Sequence, residues 1–434
     1  MKRIFFVLLV FCLSINHALA LEIVYPKTKN VKINAKSTFF IGNTLEPLKI
    51  NDEDVSTLKN GEFAHVVPLK FGENIFKIQT KTKTMTYKIL REQLKPQPKP
   101  VFKDFPQTSF IVTTDGATLR QTPIDAGINR LSQLPSGTNL VINGENGNFY
   151  RVMLSEFECA WIAKNEVTQN ESNNFSDAKF RKLHCKRDGE FEYHRFKLSK
   201  KIPFSVVNQD EKIVLKFYNT NKPFEFETDK KLGFNYYYDE HDHFVLKIRY
   251  CKQEIPTITV DAGHGGAELG AVGCNGDREK DINLKIAKYI KQNLEPDFNV
   301  VMTRENDEQL SLKKRIEIAN KNNSMILISI HANALPDGEN PNWHRGTSVY
   351  YYHTQAKTLA QSILKEVTEQ AGTKDDKVRQ RSLALTRPTL SISVLVEVAY
   401  MINPYDNIKL SNDEFQRKVA KAISDAIRNY VCAN

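Results

Sequence analysis

Four side chains able to hold a metal or carry a proton stand where apolar runs give way to loop or helix. His264 lies in Asp261-Ala262-Gly263-His264-Gly265-Gly266, directly after the run Ile258 to Val260. His331 closes Ile326-Leu327-Ile328-Ser329-Ile330 and opens Ala332-Asn333. Glu397 sits between Val396 and Val398, and Glu279, in Arg278-Glu279-Lys280-Asp281, begins a helical pattern. An ionised carboxylate between two valines is costly to bury unless it is paired or beside a metal. Two imidazoles and one carboxylate make a catalytic zinc set with a fourth position for water, and a second carboxylate nearby can act as general base. Each residue alone also reads as structural: a turn histidine, a hydrogen-bonded core histidine, a salt-bridged glutamate, a helix-start charge favoured by the dipole. The glycines around His264 do not form a dinucleotide loop, because the last glycine of that fingerprint is replaced by Glu268, and no P-loop lysine–serine pair follows. One shared site explains all four better than four coincidences.

The elements that must position them follow from periodicity. Strand-like runs at Ile258–Val260, Asn299–Met302, Met325–Ile330, Thr347–Tyr352 and Val394–Val398 alternate with helical patterns. Ile282, Ile286, Ile290 and Leu294 recur every fourth residue and give one helix its buried stripe; others are expected near Leu312–Asn320, Gln355–Gln370 and Asp413–Tyr430. This alternation predicts, for residues 255–434, an α/β domain with a largely parallel central sheet and flanking helices. Ligands of such sheets sit beyond the carboxyl ends of the strands, where His264 and His331 fall.

Residues 256–432 resemble the zinc-dependent N-acetylmuramoyl-L-alanine amidases of the type 3 family. The motifs that carry the resemblance are Val260 to Gly266, Arg278 to Asp281, Ser329 to Ala334, His344-Arg345-Gly346-Thr347 with the tyrosine strand after it, and Val394 to Glu397 through Asn403-Pro404. The resemblance implies that His264, Glu279 and His331 bind one zinc ion and that Glu397 is the catalytic carboxylate. It also implies that the substrate is peptidoglycan, cut at the amide between the lactyl group of N-acetylmuramic acid and L-alanine. Two departures stand out. Val398-Ala399-Tyr400-Met401 replaces the family's usual Thr-Gly-Phe, and Cys274, between two of the implied ligands, offers a thiolate as an alternative to Glu279. Some relatives carry a zinc-blocking helix between the second histidine and the last glutamate; the strand, helix and loop patterns between His331 and Glu397 leave no room for one. Competing readings are a zinc amidase or peptidase acting on another acylated peptide, and an inert wall-binding protein with an amidase-like domain.

The 434-residue chain is too long for one core, and its upstream part reads as three small all-β domains. Residues 1–20 have a basic start (Lys2, Arg3), an apolar stretch from Ile4 to Leu13 and Ala18-Leu19-Ala20, the pattern of a cleaved signal peptide too short to span a bilayer. Residues 21–94 alternate as in a β-sandwich, 95–107 form a proline-rich linker around Lys95 to Pro100, 108–169 resemble a bacterial SH3-like domain, and 175–252 are β-rich. Trp161 and Tyr150 read as core more readily than as a ligand groove, and His241-Asp242-His243 as a turn more readily than as a metal site. The leader implies export to the periplasm or the extracellular cell wall, with no stable membrane insertion after cleavage. The net charge of +10 falls to about +8 once Lys2 and Arg3 are removed, which suits an anionic wall polymer; exported, the chain is not expected to bind nucleic acid. A wall-binding role is expected of the β domains. Export permits disulfides, and Cys185 with Cys251 is the expected pair because the two bracket one β segment.

Overall fold

The computed structural model describes residues 20–93, 101–171, 175–209, 212–222, 224–229 and 233–433; residues 1–19 of the leader and the stretch 94–100 lie outside them. Residues 21–93 make two facing sheets. Glu22–Tyr25, Ser37–Asn43 and Glu62–Pro68 form one; Asn30–Lys32, Thr84–Arg91, Gly72–Gln79, Leu48–Ile50 and Glu53–Val55 form the other. Alternation aims Phe40, Phe76 and Tyr87 between them, with ring centroids 5.6 and 5.3 Å from Phe40.

A seven-stranded sheet follows, opened by Phe102–Val112, so residues 102–107 belong to the sheet rather than to a spacer. Tyr150 packs partly buried against its core, and Trp161 meets Phe102 edge-on at 5.9 Å. Two further sheets, of four and three strands, draw their strands from the described residues between Phe180 and Arg249. Their buried Phe196, Phe204 and Phe244 join one apolar core with Leu119, Leu140 and Ile162 of the seven-stranded sheet. His241 and Asp242 lie in the tight turn Asp239–His243 between two strands, where the Asp239 carboxylate accepts from the His241 and His243 amides.

The C-terminal domain has six strands: β1 (Thr257–Ala262), β2 (Asn299–Met302), β3 (Ile326–Asn333), β4 (Thr347–Tyr351), β5 (Asp375–Gln380) and β6 (Ile392–Tyr400). Its helices are α1 (Glu279–Leu294), α2 (Leu312–Lys321), α3 (Lys357–Ala371), α4 (Pro404–Leu410) and α5 (Asp413–Ala433). The sheet order is β2-β1-β3-β6-β4-β5. The neighbours β2, β1, β3 and β6 are parallel, and β4 runs antiparallel to β6. Alternation divides each central strand. Ile258, Val260, Ile328, Ile330, Val394 and Val396 pack with Ile282, Ile286 and Ile290 of α1, Ile363 of α3 and Ile423 of α5. Thr259, Asp261, Ser329 and His331 lie on the other face.

All five cysteines of the described residues are free, so the expected Cys185–Cys251 bridge does not form. Strand Phe180–Asp188, which carries Cys185, and strand Phe244–Arg249, which precedes Cys251, flank strand Phe191–Leu198 on opposite sides. Two strand spacings put them roughly 10 Å apart. A disulfide reaches about 7 Å between Cα atoms. Bracketing a segment in sequence therefore did not bring its ends together. Replacing Cys251 by Ser is expected to change the unfolding free energy by less than about 0.5 kcal/mol, and a reducing agent to leave the urea midpoint unmoved; a clear fall in either measurement would reinstate the bridge.

Candidate active site

The site grows from the carboxyl ends of β1 and β3. Asp261, fully buried on β1, accepts from Arg315 of α2 at 2.8 Å, from Thr303 Oγ1 at 2.6 Å and from Ser329 Oγ of β3 at 2.5 Å. Arg315 also donates to the carbonyls of Ala262 and His264, while Arg304 donates to those of Ala262, Gly263 and Lys280. Two buried guanidiniums thus fix the backbone on which His264 is mounted. That fixing matters because His264 adopts φ +60°, a left-handed conformation costly for a residue with a Cβ. Gly263 is required for a different reason: a Cβ there would lie 2.3–2.7 Å from the His331 ring.

Glu279 is the first residue of α1, where the helix dipole favours a carboxylate. Its Oε1 lies 3.2 Å from His264 Nε2 and 3.0 Å from His331 Nδ1, and accepts from the Ala332 amide at 3.1 Å and from Asn283 Nδ2 at 3.2 Å. Its Oε2 accepts from the Ala271 amide at 2.7 Å. Burial by itself would raise the Glu279 carboxyl, but hydrogen bonds and charge from His264 and His331 hold it well below the usual range. Burial likewise works against protonation of His331, yet Glu279 and Glu397 outweigh it and raise that imidazole. The donor atoms of His264, Glu279 and His331 all lie within 4.8 Å of one another. Two imidazoles and an ionised carboxylate converging at that separation suit a divalent metal.

Glu397 enters from β6, directly across from His331 in the parallel register and from Ser348 in the antiparallel one. Its side chain therefore shares the face and the edge of the histidine. Burial, reinforced by the charge of Glu279, raises its carboxyl to about 7 against the opposing pull of His331 and His264. Its Oε2 is buried and finds no hydrogen-bond partner among the described residues. An orphaned acceptor of this kind, beside a metal-type donor set, is poised for a substrate or a water.

Cys274 lies elsewhere. It is fully buried in an apolar cluster with Phe39, Ile41 and Ile402, its thiol donates to the Ile402 carbonyl at 3.6 Å, and burial pushes its pKa up. It does not belong to the metal-type cluster. Between His331 and Glu397 the one α-helix is α3, whose Leu359, Ile363 and Val367 are buried in the core rather than over the site. Sequence reasoning quoted Asp261 without a role and passed over Arg304 and Arg315. A signal existed for Arg315: it falls one helical turn before Ala319, on the side of α2 that is buried.

The N-acetylmuramoyl-L-alanine amidase family matches residues 258–429. Uncharacterized protein YqiI of Bacillus subtilis (strain 168) is 34% identical over 195 residues, 43% of this chain and 92% of that protein. The chain belongs to the type 3 N-acetylmuramoyl-L-alanine amidase family. N-acetylmuramoyl-L-alanine amidase LytC of the same organism is 36% identical over 179 residues, 40% of this chain and 35% of LytC, so the chain spans about a third of that relative. Among solved structures, N-acetylmuramoyl-L-alanine amidase AmiC2 of Nostoc punctiforme is 32% identical, with 42% of this chain and 99% of that chain covered and a TM-score of 0.39. The matched residues of the amidase domain contain every side chain of the site described above, and none of the β-rich segments before residue 250.

Two outcomes test how the amidase domain holds this arrangement. Gly263→Ala is expected to displace the His331 ring and weaken zinc binding at least about tenfold, with thermal unfolding little changed; calorimetric titration of zinc into the apoprotein checks it. Arg315→Ala strands the Asp261 carboxylate and should cost about 3–5 kcal/mol in denaturant unfolding.

Proposed function

We propose that the protein is an exported peptidoglycan hydrolase that cuts the amide between the lactyl group of N-acetylmuramic acid and L-alanine, with zinc held by His264, Glu279 and His331 and with Glu397 as general base and then general acid. The observation that carries this reading is the meeting of those three donors with an unpartnered, raised carboxylate at one sheet edge. Family membership supports the bond, and relatives named as cell wall amidases support the location. Bound there, zinc supplies Lewis acidity, polarising a carbonyl and lowering the pKa of water to about 7.

The chain's own residues do the rest. Glu279, kept ionised, and the two imidazoles present their lone pairs to one point. Arg304 and Arg315 keep the His264 backbone from relaxing when charge builds at that point. Glu397 accepts a proton from the water that attacks the carbonyl carbon, and returns a proton to the alanine nitrogen as the carbon–nitrogen bond breaks. A carboxyl raised to about 7 can do both near neutral pH, since neither protonation state is strongly disfavoured. Below its pKa the group is protonated and cannot take the first proton, so the rate falls on the acid side; a bound cation lowers that pKa and moves the limb to lower pH.

Glu397→Gln keeps shape and removes the base. It should lower kcat about 10^2–10^4-fold while zinc content stays at one ion per chain. Purified peptidoglycan incubated with the wild type should gain L-alanine amino termini without new glycan reducing ends. Undiminished turnover by the variant refutes the role of Glu397, and new reducing ends refute the choice of bond.

A further inference from the structure

A second cavity, of about 580 Å³, lies between the amidase domain and the β-rich region before it. Its walls come from the strand Arg130–Leu134, the edge strand Gly233–Tyr238, α2, and the segments at the ends of β4 and β5 and before β6. It is distant from the metal-type cluster. Leu390 lines the cavity and Glu397 lies seven residues further along extended β6, on the order of 20 Å away. The contacts that close it cross between domains. Thr389 Oγ1 donates to the Phe234 carbonyl at 2.6 Å, the Phe234 amide donates to the Thr389 carbonyl at 3.0 Å, and a Cβ on Gly127 would lie 2.6 Å from the Ser382 carbonyl oxygen.

The lining is cationic and incompletely satisfied. Arg130 and Arg387 both face it, and none of its lining residues is acidic. Among the described residues neither arginine pairs with a carboxylate: Arg130 donates to Thr118 Oγ1 at 3.2 Å and Arg387 to the Ser382 carbonyl at 3.0 Å. Behind them Arg120, nearly buried, spends one bond on Asp125 and leaves its Nε and Nη1 without a partner. Burial, with the neighbouring guanidiniums, lowers both Arg130 and Arg387 from the ordinary arginine range, although Asp125 and Glu166, outside the cavity lining, pull the other way at Arg130. Arg130 Nε, Ser132 Oγ and Asn320 Oδ1 are buried and unpartnered as well. Like charges gathered in a half-open cleft of mixed polar and apolar lining are a cost to the fold that a bound anion would relieve.

We infer that this cavity binds a carboxylate-bearing peptide, the guanidiniums of Arg130 and Arg387 taking the carboxylate and the apolar wall taking its aliphatic portion. Guanidinium forks match a carboxylate in geometry as well as charge. An inorganic oxyanion would satisfy the arginines but leave the apolar part of the lining uncovered, whereas a peptide supplies both a carboxylate and an aliphatic portion. Val206, Pro388 and Leu390 give its aliphatic portion an apolar wall. The volume is that of an ordinary small-ligand site.

The test is calorimetric titration of the full chain, kept in EDTA so that no metal contributes, with N-acetyl-alanyl-glutamate, its bis-amide and inorganic phosphate. The free dicarboxylate is expected to bind one to one and the bis-amide at least tenfold more weakly. Arg387→Gln should weaken the dicarboxylate at least tenfold. Ile128→Glu, a change at the exposed rim that leaves the packing alone, should do the same. Circular dichroism verifies that both variants are folded. Absence of binding to the wild type, equal binding of the bis-amide, folded variants that bind undiminished, or phosphate binding in place of the peptide would each overturn the inference. None of these outcomes depends on turnover at Glu397.

Discussion

The carboxylate of Asp261 is the charge around which the amidase domain is arranged. It has no access to solvent, and Arg315, Thr303 and Ser329 meet it from α2, the end of β2 and β3. Such a pair contributes little net stability, since desolvation cancels most of the attraction, but it punishes any arrangement that separates the partners. Its value is therefore specificity of position. With Arg315 committed to Asp261, the same guanidinium is in place to take the carbonyls of Ala262 and His264, and the strained turn bearing the first imidazole is held rather than left to relax.

From that anchor the rest of the site follows by register. Asp261 stands opposite Ser329, two residues before His331 on the same face of β3, and His331 stands opposite Glu397 on β6. One-residue slippage of any of the three strands would turn its polar residue into the isoleucine and valine layer beneath α1, α3 and α5. The large apolar face thus sets the register, and the register places the chemistry. The N-terminal β-sandwich braces the rim: Tyr25 and Thr38 donate to Asp337 in the loop after β3, and Asn43 Nδ2 donates to the Cys274 carbonyl between the first two donors.

The sequence made the catalytic fold readable because its strands are apolar runs and α1 keeps a strict four-residue repeat through Ile282, Ile286 and Ile290. His264, Glu279, His331 and Glu397 were legible because each interrupts or ends such a pattern. What escaped did so for physical reasons. β5, Asp375–Gln380, is a polar edge strand with no apolar alternation to announce it, and the antiparallel sense of β4 is a matter of connection rather than composition. Arg304 acts through carbonyl groups, which leave no trace in residue types. The joint core between the seven-stranded sheet and the next β region, and the arginine-lined cavity beside it, arise from surfaces meeting far apart in sequence.

Cys274 also acquires a significance that its residue type alone does not suggest. Its sulfur lies under Phe39 and Ile41 of the N-terminal sandwich, on the loop that joins His264 to Glu279. The other four thiols of the described residues are exposed. A thiol reagent can reach Cys274 only when the sandwich lifts from the loop, and then only after the sulfur gains enough water to ionise. The chain therefore carries its own chemical clock for that motion: the slow fraction of its alkylation counts how often the brace beside the metal-type donors lets go.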